Sequence, residues 1–275
     1  MKIAAHTKST LKYSFEDALK LFKELGFDGF DIGCGQCGIS ISLGKDERKR
    51  IRNLINDSGL FISNLASYAC GGDFHLGSFD EIKRRRAIDE QKRNIDLVFE
   101  LGAMQIRVFC GKDIKDKEER KKCFDLSVNS LKELCSYAKK SNINLLVENH
   151  PSTLTVSAKD TVKIIESVNE ENTGIVYDPS NLIVYDHSWN IEDDFNIQKK
   201  WIKHVHVKDQ MKEEEGYDVV VGTGIVPWCK ILSLLKNIDY QGYLALEYYG
   251  GCLPEPEIGL KESLIFLKGG YCEVS

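Results

Sequence analysis

Four residues stand where short apolar runs end and could do chemistry together. Glu148 follows INLLV, Asp178 follows TGIVY, His206 lies within WIKHVHVKD, and Glu247 follows GYLAL. Successive members are separated by about one strand-plus-helix unit. On consecutive parallel strands they would share one height and converge on one point. Two glutamates, an aspartate and a histidine form a hard, mostly oxygen donor set. Such a set suits Mn²⁺ first, with Mg²⁺, Co²⁺ and Zn²⁺ as alternatives, and leaves positions for water or substrate. Any one of them alone reads as an ordinary strand-end polar residue. A buried unpaired carboxylate costs several kcal/mol, so three at one level imply a cation among them.

The elements that must position these groups alternate along the chain. Apolar runs at 2–6, 27–33, 60–67, 103–111, 143–150, 173–181, 201–209 and 242–251 are separated by amphipathic stretches. A helix is predicted from Ser14, with Asp17 in a short capping box, to Gly26. Others are predicted from 45 to Gly59, from about Asp80 to Leu101, from about Lys115 to Lys140, after Ser157, over 191–200, after Pro227 and over 256–269. Strands alternating with helices imply parallel pairing and right-handed crossovers. Eight units in one chain of 275 residues predict an α/β fold of the (β/α)8 TIM-barrel type, a single domain over 1–275. A doubly wound sheet is the runner-up. It calls for a Gly-rich loop after the first strand, and HTKSTLKYS contains no glycine.

Composition excludes other classes. Hydrophobic residues make up 42% and charged residues 29%, as in globular proteins and unlike disordered ones. The net charge of −5 argues against a nucleic-acid partner. No apolar run is long enough to span a membrane, and the N-terminus lacks a signal-peptide pattern. The nine scattered cysteines read as reduced thiols of a cytoplasmic protein.

The segments VENH, YDPSN, HVHVKD, GTGIVPW and GYLALEYY resemble the sugar phosphate isomerase/epimerase superfamily, the xylose isomerase-like TIM barrels. FDGFDIG is similar to that group's second strand and ELGAMQIRVFCG to its fourth. The resemblance implies that Glu148, Asp178, His206 and Glu247 are metal ligands; His204, on the same strand face as His206, reads as a layer-filling core residue or as a ligand. The resemblance also implies that Glu148 and Glu247 exchange protons with a carbon next to a carbonyl polarised by the metal. Return to the same carbon gives an epimer, return to the neighbouring carbon an aldose–ketose isomer, and loss of a β-hydroxyl a dehydration. The chain departs from the ketose 3-epimerases at Asn181, where they carry a histidine, and in NHPSTL, which lacks their glutamate. Asn181 can still hydrogen-bond a sugar hydroxyl.

Other residues carry paired readings. His150 and His6, at strand ends, are substrate contacts or structural caps. Lys208 neutralises substrate charge or pairs with Asp209. Arg107 forms an internal salt bridge or contacts a substrate anion. Trp189, Trp228, Tyr248 and Tyr249 pack, or wall a sugar ring. Cys34 and Cys37 in CGQC lack a thioredoxin context or a second zinc pair. The run Lys83–Arg86 is read as a solvated helix face.

The expected function is a divalent-metal-dependent isomerase or epimerase of a small sugar, keto-sugar or sugar phosphate. Its partner would be a small-molecule carbohydrate, with neither nucleic acid nor membrane, and its assembly a homodimer or homotetramer as in relatives. The rival is a lyase acting on a keto-inositol or 3-keto sugar. Endonuclease IV-like repair would need more than the six histidines present. A non-catalytic sugar-binding barrel would be expected to lose a ligand.

Overall fold

The computed structural model describes residues 1–68, 74–185, 190–211, 218–248 and 255–270. Eight parallel strands close into a barrel: β1 (Lys2–His6), β2 (Gly29–Gly33), β3 (Phe61–Ala66), β4 (Gln105–Val108), β5 (Asn144–Glu148), β6 (Thr173–Tyr177), β7 (Ile202–Val207) and β10 (Tyr243–Leu246). Each strand pairs with its sequence neighbour in the barrel, and β10 closes the ring on β1. The two remaining strands, β8 (Asp209–Gln210) and β9 (Asp218–Val219), form a short antiparallel ladder in the loop after β7. The TIM-barrel expectation therefore holds.

Helices cover the outer face: α1 (Phe15–Leu25), α2 (Lys45–Ser58), α3 (Glu81–Leu101), α4 (Lys117–Lys139), α5 (Ala158–Val168), α6 (Pro179–Tyr185), α7 (Ile191–Gln198), α8 (Trp228–Asn237) and α9 (Pro256–Ile265). With the barrel interior on one side and helices on the other, strands such as GFDIG and TGIVY are buried at every position. Side-chain caps start the helices: Ser14 accepts from the Asp17 amide, Asp80 from Ile82 and Lys83, and Ser157 from Asp160. Gly26 and Gly102 stop α1 and α3 in the left-handed region, at φ 89° and 84°.

Two boundaries differ from the sequence reading. The sixth run was expected to extend through 181, but β6 stops at Tyr177 and α6 begins at Pro179. Proline at a first helical position and the Asp178 side chain, which accepts the Asn181 amide (3.0 Å), explain the early turn. Pro227 precedes α8 rather than opening it.

Two register shifts shape the barrel floor. Between β2 and β3 the pairing passes from Phe30↔Ile62 to Asp31↔Asn64, and between β6 and β7 from Ile175↔Ile202 to Val176↔His204. Each inserts an extra residue into one strand and turns neighbouring side chains toward the same place.

The described free thiols are Cys34, Cys37, Cys110, Cys123 and Cys135. Cys229 corrects the all-thiol expectation, because it is disulfide-bonded. That expectation rested on chain size, which measures the need for bridges and not the proximity of two sulfurs. No described helix is long and apolar enough to cross a membrane.

Candidate active site and metal centre

The structure brings together the four strand-end residues named first. Glu148 is the last residue of β5, Asp178 follows β6, His206 lies in β7 and Glu247 follows β10. One ligand atom from each lies within 4.8 Å of the others, and all four side chains are buried. Donors around one ion at bond lengths of about 2.0–2.2 Å need that closeness. The donor set and its spacing fit a divalent ion.

Cations already surround these acids. The Lys208 ammonium lies 2.7 Å from Asp178 Oδ2 and 3.5 Å from Glu247 Oε2. Lys8, on the 3-10 turn after β1, reaches Glu247 Oε1 at 3.7 Å. Arg107 of β4 places Nε 3.2 Å from Glu148 Oε2 and donates from a terminal nitrogen to Ser67 O at 3.0 Å. Its guanidinium lies over the rings of Tyr68 and Phe109, at 4.7 and 4.0 Å. Burial alone would raise the pKa of Glu148. Arg107 and His206 outweigh it and hold that carboxyl well below the usual range. Glu247 is held down against its own burial by Lys208 and His206.

His206 faces two ways. Its Nδ1 lies 3.0 Å from Glu148 Oε1 and 3.7 Å from Glu247 Oε2. Its Nε2 lies 3.2 Å from Asp31 Oδ2. Burial lowers the pKa of the imidazole, but Glu148 and Asp31 outweigh that and raise it to about 10.

The remaining expected site residues occupy distinct places. Asn181 donates Nδ2 to Asn149 O at 3.0 Å and lies 3.4 Å from Glu148 Oε1. His6 is fully buried, and its Nδ1 accepts the Lys8 amide at 2.9 Å. Its Nε2 therefore carries the proton, and that atom has no hydrogen-bond partner among the described residues. Burial pushes its pKa down to about 4, so the ring is neutral. His150 is not part of the cluster. Its ring lies 4.5 Å from that of Phe109, tilted by 56°, and it lines a cavity of about 220 Å³ with His75, Lys112 and Ser152.

Lys208 does not pair with Asp209. Asp209 instead accepts the backbone amides of Gln210, Gly222, Gly224 and Val226 at 2.9–3.0 Å, which shapes the GTGIV loop. A side chain at Gly224 would collide with that carboxylate. Trp228 is buried and donates Nε1 to Lys208 O, and Tyr248 packs against Gly259, so both serve packing. Trp189, Tyr249 and residues 212–217 of the acidic loop lie outside the described residues.

Sequence reasoning missed Asp31, Lys8 and Tyr68. Asp31 carried a readable signal, an acid between Phe30 and Ile32 inside an apolar strand. Lys8 carried none, because a lysine in HTKST looks like a loop residue. The two decoys have structural partners. Cys34 donates to Asn94 Oδ1 (3.0 Å), and burial pushes both the Cys34 and Cys37 thiols up. Arg85 pairs with Glu133 of α4 at 2.7 Å.

A family model described as the xylose isomerase-like TIM barrel matches residues 19–269. A Haemophilus influenzae protein described as an L-ribulose-5-phosphate 3-epimerase is 26% identical over 267 residues, covering 93% of this chain and 91% of that one. An inosose dehydratase of Bacillus cereus is 23% identical over 258 residues, covering 85% and 82%. The crystal structure of a D-psicose 3-epimerase superposes with a TM-score of 0.83 at 16% identity, covering 99% of this chain and 100% of that one, a likeness of fold. With its closed eight-strand barrel and a family match over most of its length, the chain belongs to the xylose isomerase-like TIM barrel family.

Proposed function

We propose that the protein is a divalent-metal-dependent enzyme that moves a proton next to the carbonyl of a small sugar, keto-sugar or sugar phosphate, as an epimerase or isomerase. The observation that carries this reading is the convergence of Glu148, Asp178, His206 and Glu247 from four consecutive staves. Those residues would hold the ion, Mn²⁺ first among Mn²⁺, Mg²⁺, Co²⁺ and Zn²⁺. When bound, the ion supplies Lewis-acid polarisation of a substrate carbonyl.

The chain's own groups do the rest. Glu148 and Glu247 are kept ionised by their cationic neighbours, so either can accept a proton from the substrate carbon, and the other would return one to it after itself taking a proton from water or a substrate hydroxyl. Arg107 and Asn181 fix the orientation of Glu148. Lys208 lies against Asp178 and Glu247 and stabilises negative charge developing on substrate oxygen. The Nε2–H of His6 is a buried donor without an acceptor among the described residues and would take a substrate oxygen.

A dehydratase is the second reading, because Asn181 is engaged by Glu148 and Asn149 where the ketose 3-epimerases carry a substrate-binding histidine. The inosose dehydratase relative supports it. Incubation in D₂O with Mn²⁺ and a panel of ketoses, ketose phosphates, inososes and 3-keto sugars, followed by NMR, separates the two. Deuterium at one carbon with an epimer or isomer as product supports the first reading. A dehydrated product supports the second. Absence of exchange with every substrate, together with absence of metal binding, removes both.

A further inference from the structure

The His-x-His pair of β7 points two imidazoles at one carboxylate. Asp31 Oδ2 lies 2.9 Å from His204 Nε2 and 3.2 Å from His206 Nε2. Ser63 donates its hydroxyl to Asp31 Oδ1, and Asn64 donates Nδ2 to Oδ2 at 3.2 Å. All of these side chains are buried. The β2–β3 register shift makes the arrangement possible, because it brings two adjacent β3 residues onto the same acid.

The protons in this network are assigned by a backbone group. Gln105 donates Nε2 to Ser63 O at 2.7 Å, which fixes which end of its amide is nitrogen. The same Nε2 lies 3.3 Å from His204 Nδ1, so His204 accepts there and carries its proton on Nε2, toward Asp31. Asp31 is thereby held from one side by His204 and meets His206 on the other. A carboxylate can only accept, so without a cation both nitrogens of His206 are N–H, Nε2 toward Asp31 and Nδ1 toward Glu148; a cation held by Glu148 and Glu247 would take the place of the proton on Nδ1 and leave the one on Nε2. The other nitrogen, Nδ1, is the one that faces Glu148 and Glu247.

We infer that Asp31 is a positioning residue that selects the ring nitrogen His206 gives to the cation, holding Nε2–H itself and leaving Nδ1 as the ligand. This deepens the proposed function and rests on its metal site. His204 then has a task that explains the pair's spacing, since it anchors the anchor. Outer partners of ligating histidines typically change metal affinity by about 10–100-fold when removed. Asp31→Asn keeps an oxygen for the two imidazoles and loses the charge. Asp31→Ala loses both.

The test uses Mn²⁺ and Zn²⁺ as probes, without substrate. Mn²⁺ titration by calorimetry is expected to show affinity about tenfold lower in Asp31→Asn and about 100-fold lower in Asp31→Ala. ¹⁵N NMR of the Zn²⁺-loaded wild type is expected to show His206 bound through Nδ1 with its proton on Nε2. Zinc on Nε2 overturns the inference, as does unchanged Mn²⁺ affinity in both variants. The wild-type spectrum and Asp31→Asn carry the test even if Asp31→Ala does not fold. Wild type that binds neither ion overturns the metal reading, and this inference with it. Wild type that binds both while the variants bind equally well overturns the role of Asp31 alone.

Discussion

Asp178 and Asp209 are buried acids just past successive strands of one barrel, and they are satisfied in opposite ways. Asp209 spends its oxygens on four backbone amides within one loop. Asp178 accepts one amide, from Asn181, and turns its other oxygen to an ammonium and toward the other acids. Amides are fixed by the chain and cannot be exchanged for a ligand. An ammonium on a flexible stem can shift when a cation or a substrate arrives. The partner, more than the burial, separates an acid that shapes a loop from one free to take part in chemistry.

The comparison breaks most sharply at the proton-transfer pair. Glu148→Gln and Glu247→Gln are expected to lower turnover about 10²–10⁴-fold while circular dichroism and the melting profile stay near wild type. Loss of fold in either would make the cluster a structural network like that of Asp209. The next effect is on stability. Asp209→Ala leaves four amides without acceptors and is expected to cost about 2–4 kcal/mol in urea unfolding, with Mn²⁺ affinity retained. An equal fall in metal affinity would erase the distinction.

Metal removal gives an effect of similar order. Saturation at about 100 times Kd stabilises a native state by about 2.7 kcal/mol, so chelation is expected to lower Tm and Mn²⁺ to restore it. The pH dependence has a definite sign. The His206 pKa is raised to about 10, so its contribution to the metal-free fold is complete below about 6.5 and lost as pH rises toward 10. Tm of the metal-free protein should fall across that window. The loaded protein, with Nδ1 already taken, should change less. The smallest effect is on the outer surface, where Arg85→Ala removes an exposed pair with Glu133 and is expected to shift stability by under about 1 kcal/mol.

Much of this was legible in the primary structure, for physical reasons. A parallel barrel strand is apolar on both faces, so Glu148, Asp178 and Glu247 stand out where such runs end. Caps at Ser14 and Ser157 could be read because a cap and its amide are three residues apart. Asp31 was as conspicuous as Glu148, but its partners His204 and His206 come from distant β7, and no local pattern joins them. The fate of Lys208 was hidden for the opposite reason. Its sequence neighbour Asp209 was a plausible partner until the loop amides claimed that acid.

Ser63 is the extra residue where β3 slips past β2. A one-codon deletion there would restore uniform pairing, with Ile62 still opposite Phe30 and Asn64 still opposite Asp31. The faces downstream would survive, but the hydroxyl that Ser63 gives to Asp31 would vanish and the local kink would straighten. An in-frame change that alters no charge would thus weaken the support beneath His206 while leaving the barrel closed, which makes this single residue a fragile point in any grafted or recombined version of the fold.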